Sequence, residues 1–166
     1  MRHLKNPFVK LEGYNCFGCS PDNNCGLGLT FVEDGDYVVS EWMPKPQFQG
    51  WHNVLHGGIQ ATLLDEIASW LVFAKLQTSG VTSKMEVRLK KPVYTDKGKL
   101  TLKAKLREMK RNIAVIETWL YNAEMELCAY ANMHYYTFKE EVAREKLWYP
   151  GAEAFYDPEG CQMPDE

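Results

Sequence analysis

Residues 57–80, GGIQATLLDEIASWLVFAKLQTSG, decide how the rest of the chain is read. Ile59, Leu63, Ile67, Trp70, Leu71 and Ala74 recur at three- and four-residue intervals, the pattern of a helix that buries one face. Gly80 is the expected end of that helix. Just before it, PKPQFQGWHNVLH, residues 44–56, contains two prolines, a glycine and no consistent period, so it reads as a long surface loop. Further back, LTFVE and DYVVSEWM are two short β-type runs parted by Asp34-Gly35, a dipeptide suited to a tight hairpin.

After the helix, VTSKMEVRLKKPV, KLTLKAKLRE, NIAVIETWLYN and ELCAYANMHYYTF read as strands, separated by the turn-like segments TDKG, MKR and AEM. Apolar and polar residues alternate most clearly from Lys84 to Lys90, which predicts a sheet with one apolar and one wet face. Two strands, one helix and about four strands make an α+β domain: an antiparallel β-sheet wrapped around one long central α-helix. The expected boundaries are a loop over residues 1–27, the domain over 28–138 and a polar tail over 139–166.

The 166 residues are 45% hydrophobic and 25% charged, the composition of one ordinary globular domain. A net charge of -3 argues against a nucleic-acid partner, which usually demands a basic face. No apolar run has the length of a signal or membrane segment, so a cytoplasmic protein without a membrane partner is expected. Five cysteines, an odd number, argue against a disulfide framework. The sequence contains no Gly-x-Ser-x-Gly, phosphate-binding loop or dinucleotide fingerprint.

Asp65 lies mid-helix on a face shared with Ala61, Thr62, Ala68 and Ser69. A carboxylate among small side chains is either an exposed helix edge or a group reached by a ligand, in which case it is a candidate general base or nucleophile. His56-Gly57-Gly58 immediately precedes the helix. Glycines there allow a carbonyl oxygen to approach N–H groups that lack intrahelical acceptors and carry a partial positive charge. Along one helix the glycines and Asp65 are roughly 10 to 12 Å apart. Helices from two subunits would bring both to one carbonyl.

VLHGGIQATLLDE followed by GVTSKMEVRLKKPV resembles the hotdog thioesterases of the phenylacetate-pathway type, in which HGG, a short apolar run, Asp and an x-Pro strand recur. NCFGCSPDNNCGLGLTF resembles the Cys-x-x-Cys-Gly and Asn-Pro-x-Gly-Leu segment of one branch, with Ser20 and Cys25 replacing the usual Gly and Pro. The resemblance spans roughly residues 14–138 and implies a hotdog fold, an acyl-coenzyme A substrate, hydrolysis of its thioester, and neither metal nor other cofactor. It also implies a homodimer or a dimer-of-dimers tetramer with the active site at the subunit interface. Asp65 would attack the carbonyl or activate water, Gly57 or Gly58 would polarise the carbonyl, and His56 would orient the substrate or the loop.

Some relatives carry Asn about six residues before the His; here that position is Gly50, and Gln49, His52 or Asn53 are the available substitutes. Thr82 and Ser83 stand where relatives bring a hydroxyl near the thioester from the partner subunit, although a turn or cap role fits them equally. Arg88 and Lys90, with Lys84, Lys91, Lys110 and Arg111, could hold the coenzyme A phosphates or be solvated. Glu66 is a weaker rival to Asp65. Cys16-x-x-Cys19 with Cys25 lacks the second pair of a structural zinc site. His134 and Tyr135 read as structural. A non-catalytic acyl-coenzyme A binding module and a hotdog hydratase or dehydratase are the alternative functions.

Overall fold

The computed structural model describes residues 1–157; Cys161 lies outside them. The strands are β1 (Arg2–Leu4), β2 (Phe31–Asp34), β3 (Tyr37–Trp42), β4 (Gly80–Leu89), β5 (Leu100–Lys110), β6 (Ile113–Tyr121) and β7 (Leu127–Thr137). They form one antiparallel sheet in the order β1-β2-β3-β5-β6-β7-β4. The long helix α1 spans Gly57–Lys75, and a short α2 spans Glu140–Lys146. The α+β hotdog architecture expected from the sequence is the one observed.

Leu63, Ile67, Trp70, Leu71 and Ala74 are buried as their spacing predicts, with Trp70 stacked on Phe31 at a ring-centroid distance of 4.4 Å. Burial of each of the Leu and Ile side chains contributes about 1.5–3 kcal/mol. Leu64, Ala68 and Val72 are buried as well, so α1 is covered on more than one face. The additional cover comes from the chain ends. Residues 1–26, expected as loop, supply β1, which pairs with β2, and Phe8, which packs against Phe73 and Phe155. Residues 139–157, expected as polar tail, supply α2 and a 3₁₀ turn at Ala152–Phe155 that bury Ala143, Tyr149 and Phe155. Apolar residues too sparse to show a period still bury when the helix offers them an uncovered side.

Two further expectations change. The helix stops at Lys75 rather than Gly80, because Gln77 adopts a left-handed φ of 54° and Thr78 donates to the Phe138 carbonyl at 2.7 Å. Gly80 instead opens β4, where a Cβ would sit 2.8 Å from the Tyr136 carbonyl oxygen. The strand with the clearest alternation, β4, is exposed along nearly its whole length and is not packed like the core strands. It pairs only with β7 and is the sheet edge. Gly35 lies at φ 57° and makes the tight turn between β2 and β3.

Candidate active site

α1 begins at Gly57 with His56 as its N-cap, and the His56 ring Nδ1 accepts the Gly58 N–H at 2.9 Å. That bond uses one of the helix's free donors. Of the two glycine N–H groups expected to polarise a carbonyl, only Gly57 is without a hydrogen-bond partner among the described residues. At Gly50, where some relatives carry Asn, a Cβ would lie 3.1 Å from the His56 ring, so a side chain there would require the ring to shift slightly. Gln49 accepts the Asn53 N–H at 2.7 Å and so holds the loop turn at Asn53, whose φ is 56°. His52 is exposed. The helix start opens on a hollow lined by Gln47, Phe48, Gln49, His56, Ile59 and Thr62.

Two turns along α1, the Asp65 carboxylate is gripped through one oxygen. Oδ1 lies 2.6 Å from the Tyr135 hydroxyl on β7 and accepts the Thr82 hydroxyl on β4 at 2.9 Å. Tyr135 also lies 2.8 Å from the Asp65 carbonyl oxygen. Burial, and next the neighbouring Asp65 charge, push the Tyr135 phenol well above its ordinary pKa, so it remains a donor. Among the described residues Oδ2 takes no hydrogen bond. Asp65 opens on a cleft of about 470 Å³ whose apolar wall includes Phe8, Phe73, Val81, Leu147 and Trp148. Of the aromatic residues Trp42, Phe48, Trp51, Trp70 and Phe73, only Phe73 lines this cleft.

A bulge between Thr82 and Lys84 sets the direction of β4 side chains. Before it, Gly80 and Thr82 face α1, next to Val72 and Asp65. After it, Leu89 faces α1 and approaches Gly57. The Ser83 hydroxyl turns instead to the His134 carbonyl at 3.0 Å. Thr82 therefore serves the carboxylate of its own chain. Arg88 falls on the opposite face of the strand by alternation, and Lys90 lies just past the end of β4. Lys84, Lys91 and Lys110 are paired with Glu86, Glu126 and Glu108, whereas Arg88 and Lys90 make no ion pair among the described residues.

Glu66, adjacent in sequence, points to a different wall. Its Oε1 lies 3.6 Å from Cys16 Sγ, which is 3.3 Å from Cys19 Sγ, and the Tyr14 hydroxyl is 3.0 Å from Cys19 Sγ. Burial, reinforced by Cys16, raises the Glu66 carboxyl to about 7. Cys25 is exposed and stands apart from the cluster. Tyr135 is the site residue the sequence reading missed, since a tyrosine in an alternating strand gives no local sign of the helix group it will meet.

Residues 52–129 match the family model described as the thioesterase superfamily. Over that stretch, somewhat under half of its length, the chain is similar to the thioesterase superfamily. Its fold is shared by AziG of S. sahachiroi, at 22% identity and TM-score 0.63, with 68% of this chain and 93% of that one covered. A thioesterase of Haemophilus influenzae aligns at 23% identity and TM-score 0.62, covering 68% of this chain and 80% of the other. PaaI of E. coli, from the phenylacetic acid degradation operon, aligns at 19% identity and TM-score 0.61, covering 69% and 82%. No curated protein matches the chain. The fold is thus the hotdog fold that these structures share, and none of its described helices is long and apolar enough to cross a membrane.

Proposed function

We propose that this hotdog domain hydrolyses acyl-coenzyme A thioesters with Asp65 as the catalytic carboxylate. The observation that carries the proposal is a carboxylate anchored by Thr82 and Tyr135 through Oδ1, with Oδ2 unclaimed, on a cleft of about 470 Å³ with an apolar wall. Fixing one oxygen holds the other in a set direction, the preorganisation that acid–base and nucleophilic catalysis require. In the general-base route Asp65 takes a proton from water while the hydroxide attacks the thioester carbonyl carbon. The tetrahedral oxyanion collapses, the C–S bond breaks, and the proton passes to the departing thiolate, leaving free acid and coenzyme A. In the nucleophilic route Asp65 attacks the carbonyl carbon, the C–S bond breaks as coenzyme A leaves as the thiolate, and water cleaves the resulting acyl anhydride to free acid and the Asp65 carboxylate, with water's second proton going to the thiolate.

Gly57 lies eight residues before Asp65, roughly 12 Å along the helix axis. One carbonyl cannot reach both groups of the same chain. The oxyanion donor is therefore assigned to Gly57 of a second copy, with His56 holding the loop beside it. The ten-residue edge of β4 supports a dimer in which two sheets join, since it has an unpaired backbone and half-exposed Val81, Met85 and Leu89. Arg88 and Lys90, free of ion pairs, are the candidate partners of the coenzyme phosphates. Related thioesterase-fold structures carry coenzyme A in Streptococcus pneumoniae and acetyl-coenzyme A in Streptococcus mutans.

The test is free-thiol release from short, long and aryl acyl-coenzyme A esters, run beside Asp65→Asn. Turnover that disappears in the variant supports the assignment. No turnover by the unaltered protein, with tight binding of intact thioester, would replace hydrolysis with a binding function. Sedimentation of Met85→Asp tests the assembly: a dimer that persists with the charge on β4 would overturn the shared site.

A further inference from the structure

We propose that Cys16, Cys19 and Glu66 form a binding site for a thiophilic divalent cation of the zinc class. The two thiols come from the N-terminal segment and the carboxylate from α1, fifty positions further on. All three ligand atoms lie within 4.8 Å of one another. A tetrahedral zinc with Zn–S near 2.3 Å and Zn–O near 2.1 Å sets the S···S distance at about 3.8 Å and S···O at about 3.6 Å. The observed separations are 3.3 Å for Cys16 Sγ to Cys19 Sγ and 3.6 Å for Cys16 Sγ to Glu66 Oε1. Half an ångström of opening brings the two sulfurs to the tetrahedral separation, and the third pair, Cys19 Sγ and the Glu66 carboxylate, lies within 4.8 Å.

The surroundings favour a cation over a plain thiol pair. Gly18 sits on the Glu66 carboxyl so closely that a Cβ would lie 2.4 Å from it, which holds the Cys-x-x-Cys turn on the carboxylate. A disulfide between the cysteines would leave that carboxylate without a role. Among the described residues no lysine, arginine or histidine forms an ion pair with Glu66. Three groups able to carry negative charge thus converge with no positive partner, an arrangement that a divalent ion neutralises. Outer support is present: the Tyr14 hydroxyl reaches Cys19 Sγ at 3.0 Å, and the Asn6 amide donates to Tyr14 Oη at 3.0 Å and to the Cys19 carbonyl at 3.1 Å. On binding, Zn–S bonds to both cysteines and a Zn–O bond to Glu66 form, the thiol protons pass to solvent, and water fills the fourth position.

Reduced, metal-free protein titrated anaerobically with Zn²⁺ should take up one equivalent per chain, and Co²⁺ should give thiolate-to-metal charge-transfer absorption. Glu66→Gln should weaken uptake by at least about tenfold, as loss of a site group does, whereas Cys25→Ser should bind as the unaltered chain does. A readout on the unaltered chain avoids dependence on variant folding: saturating Zn²⁺ should slow alkylation of Cys16 at least tenfold. Substoichiometric uptake, uptake that is lost with Cys25 but survives Glu66→Gln, or Cys16 alkylation at the same rate with and without Zn²⁺ would each overturn the site.

Discussion

Asp65 and Glu66 are neighbours in sequence on one helix and line one cleft, yet they belong to two different walls. The Asp65 wall is regular structure: strands β4 and β7 bring hydroxyls to one carboxylate oxygen. The Glu66 wall is a turn of the N-terminal segment that brings two thiols and a glycine to the other carboxylate. Hydroxyl donors fix one oxygen of Asp65 and leave the other free for a substrate. At Glu66, burial and next Cys16 raise the carboxyl's proton affinity. A helix step of about 100° per residue is enough to give two adjacent carboxylates different chemistry.

The largest test of that division is a pair of isosteric changes. Asp65→Asn should cost at least about 100-fold in kcat, the low end for acid–base catalysis, while Glu66→Gln should cost less than about tenfold. Equal losses in thiol-release assays would merge the two walls into one catalytic unit. Next comes Gly18→Ala, whose Cβ would collide with the Glu66 carboxyl. We expect about 1–3 kcal/mol of lost stability from this overpacking, read as a lower denaturant midpoint. An unchanged midpoint would mean that the N-terminal turn does not clamp the helix.

On the strand wall, Tyr135→Phe removes the 2.6 Å contact to Asp65 while keeping the ring. A kcat lower by about tenfold, equivalent to about 1.4 kcal/mol, with KM little altered, would sharpen the anchoring role. A change confined to KM would assign the hydroxyl to substrate instead. The smallest expected effect is that of Thr82→Val, about threefold in kcat for one neutral hydroxyl bond. Thr82→Ser should restore the rate, and failure to do so would point to packing of the methyl group.

The strands, the helix and the candidate carboxylate could be read locally because their signals are periodic: α1 from its three- and four-residue spacing, β5 to β7 from apolar runs between turns. The opposite fate of β4 shows the limit of that reading. Alternation over Lys84–Lys90 is the same whether a strand lies inside a sheet or at its edge, and only the pairing order makes it an edge. The chain ends were illegible for another reason: Phe8, Tyr149 and Phe155 stand in short irregular segments, with no period to mark which of their apolar residues join the core.

The sequence by itself determined the α+β class, the helix that carries Asp65 and the HGG segment at its start. These depend on local spacing and backbone chemistry, which a single stretch of chain contains. Tertiary structure alone decided that Tyr135 and Thr82 meet Asp65, that His56 takes the Gly58 N–H, and that Glu66 joins Cys16 and Cys19. The cysteine pair looked incomplete in the sequence because its third group lies on a helix fifty residues away. Contacts between distant segments are set by how the sheet closes around α1, and no local pattern encodes that distance.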